Sequence, residues 1–187
     1  MSRLPKGDDN SSQMRRIPSV LPLILVVLMA TASALGAAPR GTRTNPYPIR
    51  TMIRPPDGQG WKLKVNKSIP NATRAVLRWN KFNPPPRAGN QFFIVNITLA
   101  YSGKEPTSPF PPTRISVVGR SNVPSTVTDD SCGGIPGQLH FRTRVRTGGS
   151  ISGNMCFSVR KTDVRSLLLM YQAAFSTDNR QVFFKVH

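Results

Sequence analysis

The stretch Phe93–Tyr101, F-I-V-N-I-T-L-A-Y, limits what this chain can become more than any other. Phe93, Val95, Ile97, Leu99 and Tyr101 fall on one side of an extended backbone; Ile94, Asn96, Thr98 and Ala100 fall on the other. A period of two, filled by β-branched and aromatic residues, is the pattern of a strand that buries one face. Pro84-Pro85-Pro86 and Gly89 interrupt regular structure ahead of it, and Ser102-Gly103 turns the chain after it.

Other segments repeat the pattern. Trp61-Lys62-Leu63-Lys64-Val65 alternates apolar with basic and reads as a first strand. Arg114–Val118 is a short strand and Val123–Thr128 a further one. In Leu139–Arg146 the residues Leu139, Phe141, Thr143 and Val145 alternate with His140, Arg142, Arg144 and Arg146. Ile151, Met155, Phe157 and Val159 make the inward face of the next strand, with Gly153 between them and Cys156 facing outward. Leu167–Tyr171 and Val182–Val186 follow. Only Ala72–Trp79 competes for helix, with Asn71 as N-cap and Ala72, Ala75, Val76 and Trp79 on one face; a strand fits there almost as well. About seven strands separated by Gly- and Pro-rich turns predict an all-β fold, an immunoglobulin-like antiparallel sandwich.

The first 59 residues have a different character. No charge occurs between Arg16 and Arg40, and Leu21–Met29 is apolar apart from Pro22. The run then decays into Ala32-Ser33-Ala34, the form of a signal-peptidase site behind a basic Met14-Arg15-Arg16 flank. Residues 1–36 are therefore expected to be a signal peptide, or a signal anchor if they are not removed. Residues 37–59, with Pro39, Pro46, Pro48, Pro55 and Pro56 among Arg40, Arg43, Arg50 and Arg54, read as a Pro/Arg-rich linker. The sandwich would occupy 60–187. The expected location is secreted or in the cell envelope, and membrane-anchored if the N-terminal helix is retained.

Two cysteines, Cys132 and Cys156, in a chain with an export signal predict one disulfide. It would be worth roughly 3 kcal/mol in the chain-entropy account. The 26 Lys and Arg against 8 Asp and Glu give a formal charge of +18, which favours an anionic partner. If Leu139–Arg146 is a strand, His140, Arg142, Arg144 and Arg146 line one sheet face at about 6.8 Å intervals, a row suited to an anionic ligand. The alternative is that the row is simply a solvated face. An anionic envelope polymer or a membrane surface fits such a row, and a protein partner is compatible with it. Nucleic acid is disfavoured, because no exposed aromatics interleave with these cations, Phe141 being assigned to the inward face.

Chemistry is sparse. A hydrolytic triad needs a base oriented by an acid; the two histidines are His140 and the terminal His187, and no nucleophile turn accompanies them. Glu105 is the sole glutamate, so a paired-carboxylate glycosidase is disfavoured. The expectation is no enzyme, no cofactor and no metal site: a binding or structural module, with an anchored domain serving a membrane partner as the first alternative and an undetected enzyme as the second.

Four pieces occur in order: Trp61-Lys-Leu-Lys-Val65; Asn80-Lys-Phe-Asn-Pro-Pro85 with Gly89–Val95 and Tyr101-Ser-Gly103; Gly149-Ser-Ile-Ser-Gly153-Asn-Met-Cys-Phe157-Ser-Val159; and Asp163-Val-Arg-Ser-Leu-Leu-Leu169. Together they resemble the telokin-like family of exported bacterial proteins, a domain of unknown function whose members include the mycobacterial secreted immunoprotective antigen. The resemblance covers roughly 60–187. It implies an immunoglobulin-like sandwich in which Gly149, Gly153, Phe157 and Val159 mark one core strand, and Arg160 stands where the family usually has proline. It implies export, and it carries no catalytic or ligand residue.

Overall fold

The computed structural model describes residues 38–56, 58–109, 113–174 and 180–187. The signal or anchor reading of 1–36 lies outside them. Seven strands form among the described residues: β1 Trp61–Ile69, β2 Asn90–Tyr101, β3 Thr113–Val118, β4 Pro124–Thr126, β5 Ser150–Arg160, β6 Leu168–Ala173 and β7 Gln181–Lys185. One helix, α1 Thr73–Trp79, lies between β1 and β2, and a 3-10 helix, Lys161–Ser166, joins β5 to β6.

The strands divide into a three-stranded sheet, β1-β2-β5, and a four-stranded sheet, β4-β3-β6-β7. Every pairing within them is antiparallel. Lettered in immunoglobulin order, β1, β2 and β5 are A, B and E, and the rest are C, C′, F and G. The fourth strand pairs with the third instead of the fifth, so the sandwich is ABE against C′CFG.

The central strand is the one the alternation predicts, extended three residues toward its N-terminus. Phe93 lies opposite Phe157 on β5, and Leu99 opposite Leu63 on β1. Between the sheets these residues meet Val117, Leu169, Tyr171 and Phe184, all essentially inaccessible to water. Burying one such side chain contributes about 1.5–3 kcal/mol. Gly153 on β5 is glycine for a steric reason. A Cβ there would lie 2.6 Å from Leu139 Cα and 2.7 Å from Leu139 N, because residues 137–139 cross β5 at that point. The crossing is held by Asn154 N–H donating to Gly137 O and Leu139 N–H donating to Asn154 O.

The outer face of β2 is not simply solvated. Its first half carries Phe92 and Ile94, both buried, and a second apolar cluster forms over them from Ala72 and Val76 of α1 with Cys132, Ile135 and Cys156. The predicted Cys132–Cys156 bridge closes this cluster, joining the loop before β5 to the outer face of β5. The second half of the same face is a polar ladder. Asn66 Nδ2 donates to Asn96 Oδ1 and Thr98 Oγ1, and Asn96 Nδ2 donates to Asn154 Oδ1.

Three expectations are corrected. Residues 72–79 are helical from Thr73, but Ala72 occupies the N-cap position without a side-chain cap, and Ala75 and Trp79 face water. Only Ala72 and Val76, with Leu77 beside them, form the packed stripe, because β2 is covered by a single turn of contact. Leu139–Arg146 is not a strand. Leu139 and Val145 are buried, as an inward face requires, yet the backbone makes only isolated bridges, at Gln138 with Asn154 and at Val145 with Thr107. Residues 38–56 are not a free linker. Tyr47 N–H donates to Phe183 O at 2.9 Å and Lys185 N–H to Tyr47 O at 2.8 Å, while Ile53 and Leu63 exchange both backbone bonds. This segment thus covers the open edge of β7 and the open edge of β1, with Tyr47, Ile49 and Ile53 packed on the main core. Its arginines are drawn in as well: Arg43 donates to Gly119 O and Asn122 Oδ1, and Arg54 to Ser102 Oγ.

The Asp163–Leu169 piece has a structural task. Asp163 is buried in the 3-10 helix, accepts hydrogen bonds from the Ser121 N–H and hydroxyl, and lies 4.0 Å from Arg120 Nε. Ser166 Oγ in turn accepts the Arg120 N–H. The link between the sheets is thereby fastened to the β3–β4 turn.

Candidate functional site

The predicted basic row does not survive as a row. His140, Arg142, Arg144 and Arg146 are all exposed, but a turn closes between His140 O and the Thr143 N–H at 3.1 Å, so the regular spacing of a strand is lost. Arg144 Nη2 donates to Pro106 O at 2.9 Å, which commits that guanidinium to a loop. Asp129 and Asp130, the acids nearest in sequence to His140, are engaged elsewhere. Asp129 accepts the Thr126 N–H, and Asp130 pairs with Arg87 Nε at 2.5 Å. Among the described residues no three His, Cys, Asp or Glu side chains lie close enough to hold a metal ion.

A further basic surface lies beside α1. A groove of about 680 Å³ runs between α1 and the turn at 86–91. Arg74, Arg78, Arg87 and Lys161 line it together with the amides of Asn90 and Gln91, and no carboxylate does. The scaffold beneath it is firm. Asn83, 6% exposed, donates from Nδ2 to Val76 O and Gly134 O and accepts the Gly134 N–H at Oδ1. That one side chain ties the end of α1 to the disulfide loop. Gly133 permits the approach: its φ is +69°, and a Cβ there would sit 2.2 Å from Asn83 Oδ1. Asn80 Oδ1 accepts the Phe82 N–H, fixing the turn between them.

On that turn the apolar side chains point outward. Trp79 is 62% exposed and Phe82 82%, the two most exposed large apolar side chains among the described residues. The Lys81 ammonium stands 5.2 Å from the centre of the Phe82 ring. Sequence reasoning missed this surface because it assigned Trp79 to a packed helical face and searched for aromatics only beside Arg142–Arg146. The signal was present in Arg78-Trp79-Asn80-Lys81-Phe82, where cations and aromatics interleave.

A second concavity, of about 350 Å³, lies beside the short β4 and is lined by Ile115, Val127, Phe141, Met155 and Met170, with Arg114 as its charged side chain. It is in the size range of small-ligand sites and is mainly apolar.

No family model matches the chain, and no curated protein does. Solved structures with a similar course include a conserved hypothetical protein of Bacillus anthracis, 12% identical over 74% of this chain and 95% of the other, with a TM-score of 0.42. The yjhA protein of Bacillus subtilis is 10% identical over 75% and 99%, with a TM-score of 0.45. An uncharacterized β-sandwich protein of Clostridium difficile is 7% identical over 76% and 95%, with a TM-score of 0.43. The fold assignment rests on this chain's own strand order and not on these likenesses.

Proposed function

We propose that the protein is an exported, non-catalytic immunoglobulin-like module that holds an anionic component of the cell envelope. The observation that carries this reading is the groove beside α1, where Arg74, Arg78 and Lys161 converge with no carboxylate in the lining, and Arg87 joins them while paired with Asp130. Convergent cations on a backbone fixed by Asn83 and the disulfide focus positive potential without the cost of ordering a loop. The apolar run ahead of Ala32-Ser33-Ala34, the disulfide and the resemblance to the telokin-like family support export. Arg142 and Arg146, displaced from any common strand, are secondary.

Equilibrium binding of a synthetic glycerol-phosphate polymer to the full chain tests the reading. The triple change Arg74→Ser, Arg78→Ser and Lys161→Ser should weaken binding at least about tenfold, with a shallower dependence on salt. Arg142→Ser, Arg144→Ser and Arg146→Ser together should leave affinity within about twofold. Equal losses from the two triples would mean that net charge alone, and no groove, retains the polymer.

A further inference from the structure

The groove accounts for the cations but not for the two aromatic rings that stand beside it. We infer that Trp79 and Phe82 form a wedge that enters an anionic lipid surface, with Arg74, Arg78 and Lys81 on the headgroups. This rests on the preceding reading that the partner is anionic, and it names which anionic partner. Rings this open to water are not a loosely folded flap. Val76, three residues before Trp79, is fully buried, Asn83, one residue after Phe82, is pinned by three hydrogen bonds, and Asn80 holds the turn between. The side chains are presented outward on a backbone that packing and hydrogen bonds have fixed.

Charge complementarity leaves several polyanions, and the rings select among them. A soluble sugar-phosphate chain satisfies guanidinium groups but offers Phe82 no apolar medium. The boundary between headgroup and acyl chain offers phosphate and hydrocarbon within a few ångströms, and Trp or Phe flanked by Lys and Arg is the composition that settles there. Lys81 already shows the arrangement in small, its ammonium above the Phe82 ring. Asp130, the acid paired with the groove residue Arg87, is only 20% exposed, so it presents little repulsion to a phosphate layer.

The chain has two tryptophans, and Trp61 is 1% exposed, so a change in emission on adding vesicles reports on Trp79. The full chain is mixed with vesicles of phosphatidylcholine, alone or with phosphatidylglycerol. Because the apolar N-terminal run can bring the chain to either vesicle, emission and not sedimentation is the readout. The expected result is a shift to shorter wavelength with phosphatidylglycerol and little with phosphatidylcholine. Phe82→Ser should move the balance between inserted and free Trp79 about tenfold toward free, and Trp79→Phe should abolish the shift. Neither change should alter binding of the glycerol-phosphate polymer. An unmoved emission maximum at saturating anionic lipid, or an equal shift on both vesicles, overturns the wedge. A shift produced by single-stranded nucleic acid and not by vesicles also overturns it, in favour of a stacking partner. If vesicles fail while the polymer still binds, the wedge falls and the groove stands; if both fail, both readings fall.

Discussion

The two faces of β2 carry two apolar clusters built on different principles. Inside the sandwich, Phe93, Val95, Ile97 and Leu99 share one cluster with buried side chains of five other strands, β1, β3, β5, β6 and β7, and burial alone secures them. Outside, Phe92 and Ile94 meet one seven-residue helix and one loop, and the cluster needs a covalent bond and a buried amide to stay closed. A helix this short is marginal by itself. The lesson is that a thin layer on a sheet is retained by fasteners, whereas a filled interior is retained by its area. The functional surface proposed here sits on the fastened layer.

This contrast can be broken from either side. Phe157→Ala, in the interior opposite Phe93, should cost about 3–5 kcal/mol and lower the urea midpoint of the entire domain. Removing the bridge by Cys132→Ser with Cys156→Ser should cost up to roughly 3 kcal/mol. In native-state hydrogen exchange its effect should be regional, releasing amides of 72–80 and 132–135 well before those of 93–99. Uniform release across both regions would show that the outer layer and the interior are one cooperative unit. Asn83→Ala should cost about 1–3 kcal/mol, since it strands the Gly134 N–H and carbonyl and removes one of the bonds to Val76 O, and its exchange pattern should match that of the missing bridge. Gly153→Ala should also cost about 1–3 kcal/mol, by forcing residues 137–139 off β5. Phe82→Ser should change stability by less than about 0.5 kcal/mol, because that ring is exposed and loses little beyond its contact with the Lys81 ammonium.

The same contrast explains what the sequence discloses. The interior was legible because period two names the inward side chains, Phe93 to Tyr101 on β2 and Met155, Phe157 and Val159 on β5; the outer burial of Ile94 and Cys156 leaves no mark in that pattern. The Cys132–Cys156 pairing was legible by count and context. Leu139–Arg146 misleads because alternation records which side chains are buried and not which backbone lies alongside. Leu139 and Val145 do enter the space between the sheets, but the crossing over Gly153 leaves them single bridges instead of a ladder. Residues 38–56 mislead in the opposite direction. Proline and arginine suggest a spacer, while Tyr47, Ile49 and Ile53 carry the contacts that seal the edges. The groove was not legible because its walls are set by distant partners: Asn83 fastens α1 to Gly134, 51 residues away, and Lys161 reaches the groove from the end of β5.

The pairing of Tyr47 with Phe183 and Lys185 also sets an order in time. The segment around Tyr47 finds its backbone partners only in β7, so that edge of the sandwich stays unsealed until β7 is in place. A contact of that sequence span is slow to form, so sealing this edge is a late step of folding. Truncating β7 would bare the edge of β6 and take from Tyr47 its strand partner at the same time.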